Sequence, residues 1–185
     1  MPSLVQIADF DPSTRQPEDY VVFGGTFDPI HEGHVNAVRR LARLFPLVIV
    51  APTSQNPWKL DQAQPVPFAL RVAMIQLALD AEEMPHIRDL TDFGIAVADK
   101  EYIYAEDAVR YFRALRPGKL YWACGEDIAH TIQHWRNWET LGVTTIVVPI
   151  EIDTHSTLVR NGNYPPHPAL VEFIKEHALY GERRG

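Results

Sequence analysis

The segment Tyr20-Val-Val-Phe-Gly-Gly-Thr-Phe-Asp-Pro-Ile-His-Glu-Gly-His34 carries the strongest structural signal in the chain. Its first four residues form a short apolar run that ends at Gly24 and Gly25, and such runs are typical of buried strands in parallel sheets. From His34 to Phe45 the apolar residues recur at helical spacing, so we expect a helix there. A strand, a glycine turn and a helix therefore follow one another directly.

The same alternation of strands and helices continues towards the C-terminus. Residues 52–67 are predicted to form a loop, residues 127–141 are helical or turn-rich, and residues 85–103 are ambiguous, with a short strand near Ile87 as one interpretation. This alternation predicts an α/β fold in which a Rossmann-like parallel sheet is covered by helices on both faces. The further strands are expected at Leu47–Val50, Leu120–Cys124 and Thr144–Val148, and the further helices at Pro67–Leu79, Ala105–Leu115, Ser156–Asn161 and Pro168–Tyr180.

The composition excludes several classes of protein. A chain of 185 residues with a formal net charge of −7 has the wrong sign to bind nucleic acid or an anionic membrane over a broad surface. No apolar run approaches the roughly 20 residues of a membrane span. The single Cys124 excludes an intramolecular disulfide framework, so we expect a cytoplasmic protein. One domain is expected at residues 19–185, preceded by residues 1–18 as a loose arm or an addition to the sheet edge.

Unusual polar residues cluster immediately after the predicted strands. Ligands of open parallel sheets bind at the carboxyl ends of the strands, which meet at one edge of the sheet. We therefore expect one site built from several distant segments. These segments are Gly24–His34, Pro52–Lys59, Gly125–Trp135 and Asp153–Arg160.

The glycines and histidines of the first segment suggest phosphate chemistry. Gly24 and Gly25 let the backbone approach a ligand closely, and the free N–H groups of the following helix favour an anion. His31 and His34, three residues apart, can both point at one phosphate, where protonated or donating imidazoles stabilise growing negative charge. Two other interpretations are half of a metal site, without an obvious third ligand, and simple helix capping.

The C-terminal cluster and one helix offer further cationic and hydroxyl groups. Ser156 and Thr157 stand one turn before Arg160, so the three side chains can hold phosphates, or they are an N-cap and a surface arginine. Arg71, inside an amphipathic helix, either reaches a phosphate or pairs with a carboxylate. Lys59, in a polar loop, is either a mobile phosphate-binding charge or a solvated lysine.

Two residues after the third predicted strand each have two interpretations, one as a ligand contact and one as a structural residue. Asp127 accepts hydrogen bonds from ribose hydroxyls, as carboxylates at strand ends do, or it caps the next helix. Trp135 stacks on an aromatic ring of a ligand, or it anchors the core.

The segment Gly24-Gly-Thr-Phe-Asp-Pro-Ile-His-Glu-Gly-His34 resembles the signature of the nucleotidyltransferase superfamily with a His-x-Gly-His motif, and most closely its bacterial nicotinate-nucleotide adenylyltransferases. The resemblance covers roughly residues 20–180. It continues, in order, through Asn56–Lys59, where Trp58 replaces a histidine, Arg71–Ala78, Gly125–Trp135, Ser156–Arg160 and Pro168–Tyr180.

This resemblance implies a nucleotidyltransferase-type fold and a reaction. AMP would pass from ATP to the phosphate of nicotinate mononucleotide, giving deamido-NAD and pyrophosphate, with Mg²⁺ carried on ATP and no metal site in the protein. The expected partners are ATP and a pyridine mononucleotide. The resemblance implies that His31 and His34 are catalytic, that ATP and its phosphates bind Gly24, Gly25, Thr26, Phe27, Gly33, Ser156, Thr157 and Arg160, and that the acceptor binds Lys59, Tyr104, Gly125, Asp127 and Trp135.

Two positions depart from the family pattern. The family has Tyr-Thr where this chain has Tyr104-Ala105, and that threonine helps to recognise the substituent of the pyridine ring; His155 stands where serine is usual. The alanine predicts weaker discrimination between nicotinate and nicotinamide. The alternatives are nicotinamide mononucleotide or pantetheine phosphate as acceptor, CTP as donor, or a nucleotide sensor without catalysis.

Overall fold

The computed structural model describes residues 3–54, 64–82, 94–149 and 151–181. Within these residues it has six strands, six α-helices and several short 3-10 turns. The strands are β1 (Ser3–Gln6), β2 (Tyr20–Gly25), β3 (Leu47–Pro52), β4 (Gly94–Val97), β5 (Leu120–Gly125) and β6 (Thr144–Val148). The helices are α1 (Glu32–Ala42), α2 (Phe68–Ala81), α3 (Ala105–Leu115), α4 (Glu126–Ala129), α5 (Ser156–Arg160) and α6 (Val171–Glu176).

The six strands form one parallel sheet in the order β1-β6-β5-β2-β3-β4. Strand β2 lies at the centre, where Phe23 pairs with Val50 on one side and Ala123 on the other. The chain first builds β3 and β4 on one side of β2 and then β5 and β6 on the other. This reversal of direction leaves a crevice at the carboxyl end of β2, which is where such sheets bind ligands.

Each face of the sheet has its own apolar core. Val21 and Phe23 belong to the core beneath α1 and α2, whereas Tyr20 and Val22 belong to the core beneath α3. Because successive residues of a strand point to opposite faces, a strand covered on both faces must be apolar at every position. The predicted α/β fold with helices on both faces is confirmed.

Several predicted boundaries were wrong. Helix α1 begins at Glu32, because the carbonyl of His31 already accepts the N–H groups of His34 and Val35. The C-terminal helix ends at Glu176, after which Ala178 and Tyr180 have φ values of 49° and 53°, outside the helical region.

The ambiguous stretch contains a strand that the sequence did not reveal. Strand β4 lies at Gly94–Val97, and Ile87, where a strand was considered, lies outside the described residues.

The N-terminal segment is an addition to the sheet edge rather than a loose arm. Strand β1 pairs in parallel with β6, the aromatic ring of Phe10 stacks on Phe45 with centroids 4.9 Å apart, and buried Asp19 accepts the N–H groups of Gln16 and Lys119. Among the described residues, no helix is long and apolar enough to cross a membrane.

Candidate functional site

Two cavities meet at the carboxyl end of β2. The first, about 270 Å³ in volume, is lined by both His31 and His34 and is named the histidine cavity. The second, about 500 Å³ in volume, is lined by Trp122 and Trp135 and is named the tryptophan cavity. The residues that line both cavities are Gly24, Gly25, Thr26 and Ile128.

Aromatic rings pack against the glycine turn and leave no room there for a side chain. A Cβ atom on Gly24 would lie 2.2 Å from Cζ2 of Trp122, and one on Gly25 would lie 3.0 Å from the ring of Phe27. Phe27 itself has φ of 50°, a strained value for a residue with a side chain, and its buried ring meets the edge of the His34 ring with centroids 4.9 Å apart. The backbone of this turn is therefore held rigidly at the point where the cavities join.

The two histidines pack against each other at the start of α1. Their rings stack with centroids 3.7 Å apart, and the backbone N–H of His31 donates to Nδ1 of His34 at 3.3 Å. Because this nitrogen accepts, a neutral His34 ring carries its proton on Nε2. Nδ1 of His31 is buried and has no hydrogen-bond partner.

Burial keeps both rings uncharged. It lowers the pKa of His31 to about 4, with a further contribution from His155, and it holds the pKa of His34 well below its usual value, with His31 and His155 adding to the effect. At neutral pH each ring is a neutral hydrogen-bond donor. Of the two possibilities that the sequence left open, protonated or donating, the protein without ligand has the donating form.

Ser156, Thr157 and Arg160 line the histidine cavity, but their polar groups already have partners in the protein. The Ser156 hydroxyl donates to the Pro29 carbonyl at 2.9 Å. Arg160 donates from Nη1 to the Asp28 carbonyl at 2.6 Å and from Nη2 to the Thr157 hydroxyl at 2.9 Å. These bonds fasten α5 to the signature loop and leave the remaining guanidinium N–H groups for a ligand.

Arg71 is bound to the protein rather than directed at a phosphate. Its guanidinium is fully buried, donates to the carbonyls of Thr26 at 2.6 Å, Thr53 at 2.8 Å and Val66 at 2.8 Å, and forms an ion pair with Glu101. Thr26 follows β2 and Thr53 follows β3, so this side chain joins two strand ends at the site. The carboxylate-pairing interpretation of Arg71 was correct.

Tyr180 reaches the signature loop from the far end of the chain, a contact that the sequence did not suggest. Its hydroxyl donates to Oδ1 of buried Asp28 at 2.6 Å, and the Val66 N–H donates to the same oxygen at 3.3 Å. Burial and this hydrogen bond raise the pKa of Tyr180. Asp28 is therefore a junction between the C-terminal segment, the loop before α2 and Arg160.

The tryptophan cavity has an aromatic wall. Half-buried Trp135 lies edge-on to Trp122 and Trp138, with centroids 6.1 and 5.2 Å away, and its Nε1–H donates to the Thr131 hydroxyl at 3.1 Å. This bond fixes the orientation of the indole. Tyr104 lines the same cavity at the N-terminus of α3.

The charged side chains of Glu106 and Arg136, which line the tryptophan cavity, are paired. Arg136 lies over the Tyr104 ring, 3.9 Å from its centre, and its guanidinium contacts Glu106 and Asp107 at 2.6 Å each. Asn137 also donates to both carboxylate oxygens of Glu106 at 3.1 Å.

Gly125 and Asp127 line the histidine cavity, not the tryptophan cavity that contains Tyr104 and Trp135. The sequence analysis grouped these two residues with Tyr104 and Trp135 as acceptor-binding, whereas the structure places them in the same lining as His31, His34 and Arg160. A Cβ atom at Gly125 would lie 2.5 Å from Oδ1 of Asp127, so glycine lets this carboxylate fold back over the strand end. Lys59 lies outside the described residues.

Among the described residues, the one group of three side chains with metal-ligating atoms close together is Glu32, Glu82 and His167. Arg39 pairs with both carboxylates, and Nδ1 of His167 accepts the Ala169 N–H at 3.3 Å. Because Arg39 compensates the charge of the two carboxylates, we interpret this group as a structural link between α1, α2 and the C-terminal segment. It does not include His31 or His34.

Fold and site together define an α/β protein with a parallel sheet, a glycine turn and paired histidines at the sheet edge. Residues 22–176 match the cytidylyltransferase-like family, and the chain belongs to this family.

Its curated relatives carry a more particular name. Proteins named "Probable nicotinate-nucleotide adenylyltransferase" include one from Solibacter usitatus, 36% identical over 190 residues, with 86% of this chain and 97% of the relative covered. Another, from Mycolicibacterium gilvum, is 34% identical over 124 residues, which are 64% of this chain and 56% of the relative. The chain thus spans little more than half the length of several relatives that it matches.

Solved structures of proteins named for the same enzyme have the same fold. One from Vibrio parahaemolyticus superposes with a TM-score of 0.70 at 18% identity, covering 89% of this chain and 96% of that chain. A second, the Plasmodium falciparum nicotinic acid mononucleotide adenylyltransferase complexed with NaAD, gives 0.65 at 15% identity, covering 88% and 97%.

Proposed function

We propose that the protein transfers AMP from ATP to the phosphate of nicotinate mononucleotide, giving deamido-NAD and pyrophosphate. The observation that carries this proposal is the meeting of two cavities at Gly24, Gly25 and Thr26, beside the paired histidines. A transfer between two bound substrates needs such a junction, with one substrate on each side of the reacting phosphorus. The names of the curated relatives support the same reaction.

The histidine cavity takes ATP in this proposal. The acceptor phosphate attacks the α-phosphorus, forming one P–O bond while the bond to the β-phosphate oxygen breaks, and pyrophosphate leaves. A phosphomonoester has a second pKa near roughly 6, so it is a dianionic nucleophile at neutral pH and needs no general base. Catalysis then consists of positioning and charge stabilisation, which the Nε2–H of His34 and the neighbouring His31 ring provide as neutral donors.

The remaining ATP-side residues would shape the phosphate path. Gly24, Gly25, Thr26 and Phe27 form the rigid turn, Gly33 lies against the His31 ring, and Ser156, Thr157 and Arg160 face the departing pyrophosphate. Arg160 would keep its bond to the Asp28 carbonyl and offer its other N–H groups to phosphate oxygens.

The tryptophan cavity fits a flat acceptor better than a flexible pantetheine chain. Trp135 and Tyr104 offer aromatic surfaces to a pyridine ring. The first N–H groups of α3 have no intrahelical acceptor, and no side chain caps them, so this helix end favours a negatively charged ring substituent. Lys59 completes the acceptor residues of the proposal.

Nucleotidyltransferases of this family generally act with a divalent metal bound to the nucleotide. We propose Mg²⁺, carried by ATP and water rather than by a protein cage. Three carboxylates line the histidine cavity, those of Asp28, Asp127 and Glu151. Asp28 and Glu151 are already bonded to Tyr180 and Arg40 respectively, which leaves Asp127, and one carboxylate is too few for a protein cage. A cytoplasmic location, with ATP and the pyridine nucleotide as partners, belongs to the same proposal.

The proposal is tested with His31→Ala and His34→Ala, and with His177→Ala as a control on an exposed histidine that lines neither cavity. Each site variant should lower turnover of ATP and nicotinate mononucleotide by about 10²–10³-fold, as the loss of one oxyanion donor does. Circular dichroism should show all three folded, and His177→Ala should retain wild-type turnover. Near-normal rates in the two site variants would contradict the proposed role of the histidines.

A further inference from the structure

Trp122 has a polar atom that nothing in the protein uses. The residue lies on β5, is 1% exposed and lines the tryptophan cavity, and its indole Nε1 has no hydrogen-bond partner. An indole N–H can only donate, and a buried donor without an acceptor is costly to the folded state. Such a group at the wall of a cavity points to an acceptor atom on the ligand.

The neighbouring tryptophans make this observation specific. Trp135 lines the same cavity, but its N–H is already bound by Thr131. Trp138 belongs to the same aromatic cluster, is equally buried and also has an unpartnered Nε1, but it does not line either cavity. Only Trp122, among these three indoles, combines an unused donor with a place in the cavity wall.

We propose that Trp122 is a specificity-determining residue that donates its N–H to one oxygen of the acceptor's pyridine carboxylate. This inference rests on the proposed function, which places the pyridine ring in the tryptophan cavity. Ala105, at the first turn of α3, has only a methyl side chain, so its side chain takes no part in polar recognition. Among the described residues that line this cavity, Trp122 has the buried donor without a protein partner, and the first N–H groups of α3, which no side chain caps, lie in the same lining.

Two hydrogen-bond donors that meet the same ring substituent select a carboxylate over an amide. A carboxylate offers an acceptor oxygen to each donor, and a hydrogen bond to a charged oxygen is roughly twice as strong as a neutral one. A carboxamide must turn its NH₂ group towards one of the donors. The carboxylate of Glu106 does not oppose this choice, because Arg110 and Arg136 pair with it. The protein should therefore prefer nicotinate despite Ala105, which is the opposite of what the alanine alone predicts.

Trp122→Phe tests the inference, because phenylalanine keeps an aromatic ring and removes the N–H. Trp138→Phe is the matched control, since it removes an equally buried, unpartnered N–H outside the cavity. Steady-state kcat/KM is measured for nicotinate mononucleotide and nicotinamide mononucleotide, each with ATP. In Trp122→Phe the value for the nicotinate substrate should fall about tenfold, with the nicotinamide value and the KM for ATP nearly unchanged. In Trp138→Phe the ratio of the two acceptors should stay at its wild-type value.

An acceptor ratio in Trp122→Phe that stays at its wild-type value, with or without an equal loss for both acceptors, would overturn the inference. Failure of the proposed function is a separate result, in which wild-type protein releases no pyrophosphate with either acceptor. In that case calorimetric titration of nicotinate mononucleotide decides. Weaker binding by Trp122→Phe than by wild type supports the assignment, and equal binding or none overturns it.

Discussion

Replacing Gly24 by alanine tests the packing beneath the junction of the two cavities. The added Cβ would lie 2.2 Å from Cζ2 and 2.6 Å from Cη2 of Trp122, whereas ordinary contact begins at 3.4 Å. Trp122 cannot swing away easily, because Trp135 and Trp138 lie edge-on to it at 6.1 and 5.5 Å. The strain must then be shared between the central strand and the aromatic cluster.

The expected destabilisation follows from this contact. Over-packing a close-packed interior typically costs about 1–3 kcal/mol, and the rigid surroundings of Trp122 place Gly24→Ala near the upper value. For a chain of this length, that loss corresponds to a fall in Tm of about 6–12 °C. Gly181→Ala is the control, because a Cβ there meets no atom within 4 Å, and its Tm should match wild type within a degree or so.

A double-mutant cycle identifies the clash itself. Trp122→Phe removes the outer benzene atoms that the new methyl group would strike, so Gly24→Ala should cost less in that background, with a coupling of about 1 kcal/mol or more. Urea unfolding of the four proteins measures it. A Tm of Gly24→Ala within two degrees or so of wild type, or an equal cost in both backgrounds, would refute the packing described for this turn.

Two further predictions concern buried titratable groups at the site. Because the folded pKa of His31 is about 4, below the unfolded value near 6.5, the unfolded chain binds protons first as the pH falls, and stability is lost below about pH 6.5. Between pH 7 and pH 5, urea unfolding of wild type should therefore lose about 2 kcal/mol more than that of His31→Gln, and parallel pH profiles would contradict the pKa shift. Tyr180→Phe removes the hydroxyl that donates to buried Asp28, so it should cost about 1–3 kcal/mol of stability, whereas an unchanged urea midpoint would show that the contact contributes nothing.

Apolar patterning was sufficient to predict the central strands and the main helices. Strand β2, for example, is apolar throughout because both of its faces are covered. An addition to the sheet edge was one of two interpretations of residues 1–18, but the position of β1 was not predicted, because a mostly exposed edge strand of four residues has no reason to be apolar throughout. Strand β4 is equally short and begins at a glycine, so its pattern was lost in the ambiguous stretch.

Local spacing also predicted where the candidate site lies, but not how its groups are paired. Glycines at a strand end and histidines three residues apart are visible in the sequence. The protonation state of His31 depends on burial, which spacing does not reveal. The bond between Tyr180 and Asp28 joins residues 152 positions apart, and the role of Arg71 depends on carbonyls from three other segments. Such contacts form only when distant segments come together at the edge of the folded sheet, so local spacing does not predict them.

In the proposed reaction, AMP is transferred from ATP to a pyridine mononucleotide where the two cavities meet. Pyrophosphate release is measured for ATP and CTP, each with nicotinate mononucleotide, nicotinamide mononucleotide and pantetheine phosphate, with the products identified by mass. We predict release with ATP and nicotinate mononucleotide, accompanied by deamido-NAD, and much slower release in every other combination. Efficient release with CTP or pantetheine phosphate, or ATP binding without pyrophosphate release for any acceptor, would contradict the claim.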